Sequence, residues 1–362
     1  MVGVLDKILR NAVSEKNDKS IKENMDDICG LLESEIINSD SDDDTKKEML
    51  KKLRKFCSTQ TNIMLVGATG CGKSSTINAL FGCGELITSE EVEEYIEVAK
   101  VGSKADPETK DIEKYTIGKL TLWDTPGLGD GTKIDEHHKE VIRELLREED
   151  KDGNALIDLV LVILDGSTKD LGTSYKILND VIIPELGEET GRILVALNQA
   201  DIAMKTGRHW DYENNEPDET LVQFLEEKIE SITARIKEDS NLDVEPIYYC
   251  AGYKEEGGEV VHPYNLSKLL YYILDAIPSH KRIAIMESVN TNSENYEYND
   301  DDMDYGEAVK DSFMDSFDDF ISEGVYRGGE IGGTILGIPG AVVGMLIGGT
   351  IGCIRSILNE IF

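Results

Sequence analysis

Apolar positions recur at helical intervals through residues 1–56: Val4, Leu5, Ile8, Leu9 and Ala12, then Ile21, Met25, Ile28 and Leu32, then Met49, Leu50, Leu53 and Phe56. Side chains three and four apart share a helix face, so this spacing predicts two or three amphipathic helices in an N-terminal segment, 1–58. The acidic stretch Asp40–Asp44 precedes the last of them, where a carboxylate can accept from the free amides of a first turn. From Thr61 to Ile277 short apolar runs alternate with longer amphipathic segments. The runs Asn62–Val66, Lys110–Thr116, Lys119–Trp123, Leu159–Leu164, Ile193–Leu197 and Glu245–Tyr249 read as strands, with helices starting near Gly72, Asp135, Thr173, Pro217 and Asn265. Such alternation predicts one α/β domain over 59–280, doubly wound around a mostly parallel sheet.

Beyond Pro278 the pattern breaks down. Glu287–Glu307 is so rich in Asp, Glu, Asn and Ser that it has too little apolar surface to fold alone, which predicts an acidic flexible linker over 281–306. The last segment, 307–362, opens with Val309, Phe313, Phe317 and Phe320 at helical intervals and continues into an uncharged run, Ile331–Ile354. As a helix those 24 positions would cross a hydrocarbon core of about 30 Å. Gly340, Gly344, Gly348 and Gly352 recur every fourth residue, after Gly329, Gly333 and Gly337, and would form a flat ridge for close helix approach. In water each such glycine costs about 1 kcal/mol relative to alanine, so either lipid or tight packing on the N-terminal helices must offset it. Pro339 is expected to break the run. Residues 328–355 are therefore a candidate membrane contact.

Charge narrows the partners. With 37 basic against 72 acidic residues the chain carries −35, and a surface of that sign repels phosphate backbones, so nucleic acid is not an expected partner. Cys29, Cys57, Cys71, Cys83, Cys250 and Cys353 are scattered without a C-x-x-C pair, which fits a reducing, cytoplasmic setting. The first residues alternate charged and apolar positions, unlike a secretory signal, and Val2 stands where myristoylation needs glycine.

The chemistry begins at Gly67-Ala68-Thr69-Gly70-Cys71-Gly72-Lys73-Ser74, which satisfies G-x-x-x-x-G-K-[ST] between an apolar strand and an amphipathic run beginning at Ser75. Glycines let backbone amides wrap a β-phosphate, Lys73 reaches the β- and γ-phosphates, and the Ser74 hydroxyl is a ligand for Mg2+. Cys71 within the loop is either a small tolerated residue or a thiol acidified by the helix start. Downstream, Leu120-Thr121-Leu122-Trp123 ends in Asp124-Thr125-Pro126-Gly127: the aspartate can hold Mg2+ through water, and the Gly127 amide can meet a γ-phosphate oxygen. The strand at Ile193 leads into Asn198-Gln199-Ala200-Asp201, where a strand-end carboxylate can accept from the ring N–H and exocyclic amine of guanine, donors that adenine does not present there.

Together, G-A-T-G-C-G-K-S-S-T-I-N-A-L, D-T-P-G-L-G-D and N-Q-A-D resemble the GTPase superfamily of the Era-like and septin type, nearest to the bacterial prophage-type and AIG families, over roughly residues 60–280. The resemblance implies a small-GTPase-like P-loop domain with helical extensions, binding GTP or GDP with Mg2+ and hydrolysing GTP. Its switch threonine matches Thr109, with Thr88 as competitor, so Ser74, Thr109 and Asp124 are the expected metal ligands and Lys73, Thr109 and Gly127 the expected catalytic groups. The last guanine loop is expected at Cys250-Ala251, with the Ala251 amide meeting guanine O6. Two positions depart from the pattern. Gln199 replaces the usual lysine, and Leu128 stands where a glutamine would orient attacking water, so slow turnover is expected unless a partner or second protomer assists. His137, His138, His209 and Trp210 lie close to these motifs in sequence and read either as site residues or as ordinary helix and loop positions. The expected function is a slow, GTP-operated switch with the tail as output, a G-domain homodimer being a candidate assembly. An Era-like ribosome-assembly factor, which would need a basic appendage, and a nucleotide-bound scaffold with negligible hydrolysis are the alternatives.

Overall fold

A computed structural model gives the fold, describing residues 42–81, 112–127, 132–169, 171–204, 209–254 and 260–326, with scattered positions within 29–38, 87–99, 334–339 and 355–362. The first described helix, α1 (Asp43–Cys57), starts as its acidic leader predicts: the Asp42 carboxylate accepts from the Thr45 amide at 2.9 Å. Six strands form the central sheet: β1 (Thr61–Gly67), β2 (Glu113–Ile117), β3 (Leu120–Asp124), β4 (Leu159–Asp165), β5 (Ile193–Asn198) and β6 (Ile247–Tyr248). Their spatial order is β6-β5-β4-β1-β3-β2, parallel throughout except that β2 runs antiparallel to β3. All six lie where the apolar runs predicted them.

The central strands are buried on both faces, which is why they read as unbroken apolar runs. Alternate residues nevertheless serve different cores. Ile63, Leu65, Leu161 and Ile163 face one layer, while Met64, Val66, Val160 and Val162 face the other. The second layer holds α3 (Thr132–Arg147), a stretch of α4 (Gly172–Ile177), π-helical Leu178–Ile182 and α5 (Ile183–Leu186), and α6 (Glu219–Ser240). The first holds α2 (Lys73–Leu80), α7 (Leu266–Ala276), α8 (Ser279–Met286) and α9 (Tyr305–Tyr326). Phe56 of α1 meets Phe317 of α9 edge to face at 5.7 Å, so both helical extensions pack on that layer.

The expected linker over 281–306 is corrected. It contains most of α8 and a turn at Ser293–Tyr296, and Tyr296 is buried. Its polar residues, useless for a core of their own, are spent on another element's orphan groups. The last carbonyls of a helix lack partners within it. At the end of α2, Leu80 O accepts from the Asn290 amide (2.8 Å) and the Tyr296 hydroxyl (3.2 Å), Asn78 O from Asn290 Nδ2 (3.1 Å), and Ala79 O from Asn295 Nδ2 (3.0 Å). Nearby, Lys119 in the β2–β3 turn pairs with Glu287 at 2.6 Å, and Lys281 pairs with buried Asp158.

Two more expectations change. Cys29 and Cys57 form a disulfide, which removes the cysteine argument for a reducing setting; residues 28 apart carry no spacing signal for a pair. Cys83 and Cys353 lie outside the described residues. In the glycine-rich run only 334–335 and 338–339 are described, and Thr334–Ile335 pairs antiparallel with Ile338–Pro339; the seven glycines of the expected ridge lie outside the described residues. Beyond it Leu358 and Ile361 are buried in the first layer, the Phe362 ring packs tilted against Tyr296 at 4.7 Å, and Arg355 pairs with Glu307 of α9. Among the described residues, no helix is long and apolar enough to cross a membrane.

Candidate functional site

The carboxyl ends of β1, β3, β5 and β6 carry the sequence motifs to one edge of the sheet, where doubly wound folds bind ligands. Residues Gly67–Ser74 join β1 to α2. Gly72, at φ 90° just before the helix, occupies the left-handed region, and a Cβ there would sit 2.1 Å from Asn198 Nδ2. Gly127 is equally constrained, since its Cβ would lie 2.3 Å from Thr69 Oγ1. The loop after β3 thus lies directly on the phosphate loop. Ala68 is half-buried and Thr69 and Gly70 are exposed, leaving the outer rim open, while Ser75 sits half-buried in the first turn of α2.

Lys73 is buried and turned back on the loop, its ammonium donating to Gly67 O (3.3 Å) and Ala68 O (3.4 Å). The Ser74 hydroxyl donates to Asp124 Oδ2 at 2.9 Å. Asp124 is 1% exposed, and its Oδ1 has no hydrogen-bond partner. Burial pushes its carboxyl above the ordinary value, with Lys73 and Ser74 pulling against that. A serine hydroxyl beside a buried carboxylate with a spare oxygen is the donor set that a Mg2+ ion uses when phosphates and water complete its shell, so these residues fit the ion. Thr125 is not part of it: its hydroxyl donates to Leu65 O at 2.8 Å and fastens the loop to β1.

The second end is built on Asn198. Its Nδ2 donates to Cys71 O at 3.0 Å, and its Oδ1 accepts from the Ala251 amide at 3.0 Å, so it bridges phosphate loop and final guanine loop. The Ala251 amide expected to meet guanine O6 is therefore already engaged. Gln199 takes a left-handed φ of 62° and donates from Nε2 to Gly70 O at 2.8 Å, covering part of the span a lysine stem would cover. Asp201 is 2% exposed; its Oδ1 accepts from Cys250 Sγ at 3.2 Å, and its Oδ2 is unpartnered. Burial raises its carboxyl too. An unpartnered buried carboxylate oxygen is costly unless a donor comes to it, and a guanine edge supplies donors of the right kind.

Other expectations sort themselves. Cys71 is wholly buried, and burial raises its thiol, so it is a small loop residue rather than an acidified sensor. On α3 His138 is buried and His137 exposed, as neighbouring helix positions point apart. His209 is engaged with Asp218, the cap of α6, at 2.7 Å, and Trp210 packs on Tyr264 at 5.3 Å. Thr109 and Leu128 lie outside the described residues; Thr88 lies in a short strand, Ile87–Ser89. Sequence reading missed two residues. Lys228 on α6 donates to Gly166 O (2.5 Å) and Thr168 O (2.7 Å), holding the turn after β4 against Asn198, whose carbonyl accepts from the Gly166 amide at 2.7 Å. Tyr249 ends its run beneath both loops. Neither belongs to a motif, and a lysine on a polar helix face carries no visible signal.

A family model described as a 50S ribosome-binding GTPase matches residues 62–199. Septin-8 of Xenopus tropicalis is 35% identical over 82 residues, covering 22% of this chain and 18% of the septin. Interferon-gamma-inducible GTPase 10 of Mus musculus is 45% identical over 71 residues, 19% of this chain and 15% of that protein. Among solved structures, Toc33 from Arabidopsis thaliana in complex with Mg2+ and GMPPNP covers 69% of this chain and 97% of its own, at 17% identity and a TM-score of 0.40. The chain thus spans less than a fifth of the length of the relatives it matches in sequence.

Proposed function

We propose that this chain, whose residues 62–199 place it in the P-loop GTPase superfamily, is a guanine-nucleotide switch that binds GTP with Mg2+ and hydrolyses it slowly. One observation carries the reading: two buried aspartates at strand ends, Asp124 and Asp201, each keep one oxygen without a partner, one beside the phosphate loop and one beside the guanine loop. Asp124 would hold Mg2+ through water and Asp201 would accept from the guanine edge, which gives each oxygen the donor it lacks. Lys73 then exchanges its loop carbonyls for phosphate oxygens, and Gly127, packed on Thr69, moves with the γ-phosphate. Leu128 cannot orient water, so turnover is slow without a second protomer or a partner protein.

The switch output runs through the segment first read as a linker. Asn290, Asn295 and Tyr296 hold the end of the phosphate-loop helix α2, and Glu287 holds the β2–β3 turn through Lys119. A nucleotide that moves α2 or β3 therefore acts on 287–296, then on α9 and on Arg355 and residues 358–362 docked against it, which flank the glycine-rich run. That run is the proposed membrane contact, and vesicle sedimentation with and without residues 328–354 tests it: equal pelleting of both chains removes it from the proposal.

Titration calorimetry with GTP, GDP and ATP in Mg2+ tests the core of the reading. Guanine nucleotides are expected to bind and ATP not; equal affinity for ATP, or no binding, overturns it. Single-turnover hydrolysis at rising protein concentration then separates a self-assisted enzyme, whose rate climbs, from a scaffold, whose rate stays near zero.

A further inference from the structure

Tyr249 is the largest wholly buried side chain among the described residues, with no exposed surface, so it touches no ligand from solvent. Its backbone belongs to the guanine end. The Tyr249 amide donates to Leu197 O at 2.9 Å, and its carbonyl accepts from the Ala200 amide at 3.2 Å, so this one residue brackets the start of the loop that carries Asn198 and Asp201. Cys250, bonded to Asp201, is the next residue.

Its side chain belongs to the phosphate end. The phenolic oxygen lies 2.6 Å from Thr76 Oγ1, in the first turn of α2, and Thr76 Oγ1 lies 2.8 Å from Gly72 O. A hydroxyl has one proton. The Gly72 carbonyl accepts from the Thr76 amide at 2.9 Å and, of the two hydroxyls, from Thr76 alone; with the Thr76 proton on that carbonyl, Tyr249 is the donor in the tyrosine–threonine bond. Burial pushes the Tyr249 phenol well above its usual value, which keeps that proton in place across the neutral range. The bonds run in one direction, from Tyr249 to Thr76 to the carbonyl of Gly72, the residue that opens the helix bearing Lys73 and Ser74.

Resting on the guanine-nucleotide reading above, we propose that Tyr249 is a positioning residue that couples base recognition to phosphate recognition. Its backbone sets the guanine loop, its hydroxyl sets the phosphate loop, and a rigid ring fixes the distance between them. A base that seats well against Asp201 then holds the phosphate loop in register, and the reverse. Asn198 makes a second bridge at the rim, but it belongs to the recognition motif itself; Tyr249 acts from below.

The test uses the full chain and the ratio of affinities for GTP and inosine triphosphate, which lacks the exocyclic amine. Tyr249→Phe removes one oxygen and keeps the ring. GTP affinity is expected to fall about five- to tenfold and the GTP-to-ITP ratio to shrink about threefold, because one buried hydrogen bond is lost and with it the link between the two ends. Thr76→Val should reproduce this and add nothing to Tyr249→Phe, while Thr76→Ser, which keeps the hydroxyl, should behave as wild type. Ile232→Val, a destabilising change in the opposite layer, should leave the ratio unchanged. Wild-type affinity and ratio in Tyr249→Phe, or an equal loss for GTP and ITP, overturns the coupling. If Tyr249→Phe does not fold, Thr76→Val against Thr76→Ser decides on the same criterion. A wild-type chain that binds no guanine nucleotide overturns the parent reading instead.

Discussion

Replacing Asn290 by alanine measures how far the acidic segment supports the nucleotide-binding domain. Asn290 is 6% exposed; its Nδ2 serves Asn78 O at 3.1 Å, and its Oδ1 accepts from the Asn292 amide at 3.0 Å. The backbone bond from Asn290 to Leu80 O survives the change. Alanine therefore removes two side-chain bonds and leaves the Asn78 carbonyl without that donor at a helix end, where no intrahelical donor replaces it. A net hydrogen bond contributes about 0.5–1.5 kcal/mol and an orphaned buried acceptor costs about 1–3 kcal/mol, so a loss of about 2–4 kcal/mol is expected. Urea denaturation followed by circular dichroism should show a midpoint lowered by about 1 M or more at an unchanged slope. Asn214→Ala, whose side chain bonds to Asp211 on an exposed hairpin, is the control and should stay within about 0.5 kcal/mol of wild type. If Asn290→Ala shifts the midpoint no more than the control, the Asn78 carbonyl is served by another donor, and the Asn290 side chain does not support the end of α2.

Three further outcomes follow from the site and its supports. Asp201→Asn turns an acceptor edge into a donor, so GTP affinity should fall by at least about a hundredfold while xanthosine triphosphate, which offers a carbonyl there, gains; unchanged calorimetric preference refutes the guanine assignment. Burial raises the carboxyls of Asp124 and Asp201 above 3.8, so in the free chain both favour the native state below that value and lose that contribution as pH rises through their folded values. Bound metal and guanine need the ionised forms, so GTP affinity should fall as pH drops through the same raised values, with proton release on binding; an affinity that does not weaken on acidification down to 3.8 contradicts this. Lys281→Met removes the ion-pair partner of the Asp158 carboxylate, which is 8% exposed and keeps the Asn62 amide at 2.8 Å, and should cost about 3–5 kcal/mol, with much of that recovered in the double variant with Asp158→Asn; equal loss in both variants denies that the buried charge is the cause.

The sequence alone determined the parts that local rules govern. Strands came from apolar runs because a sheet covered on both faces leaves no polar positions to interrupt them, and the phosphate loop came from glycines whose spacing leaves the backbone free to fold around an anion. Asp124 and Asp201 were visible because a carboxylate ending an apolar strand has few other uses. Tertiary structure decided everything that depends on residues distant in the chain. Position 249 looked like the end of a strand, and only its 2.6 Å approach to Thr76 gives it a part in the site. Residues 281–306 looked like a solvated linker because composition measures what a segment can bury by itself; a segment of asparagines and serines becomes structure when another helix offers it unpaired carbonyls. The Cys29–Cys57 bond was hidden for the same reason, since proximity in a fold leaves no trace in spacing along the chain.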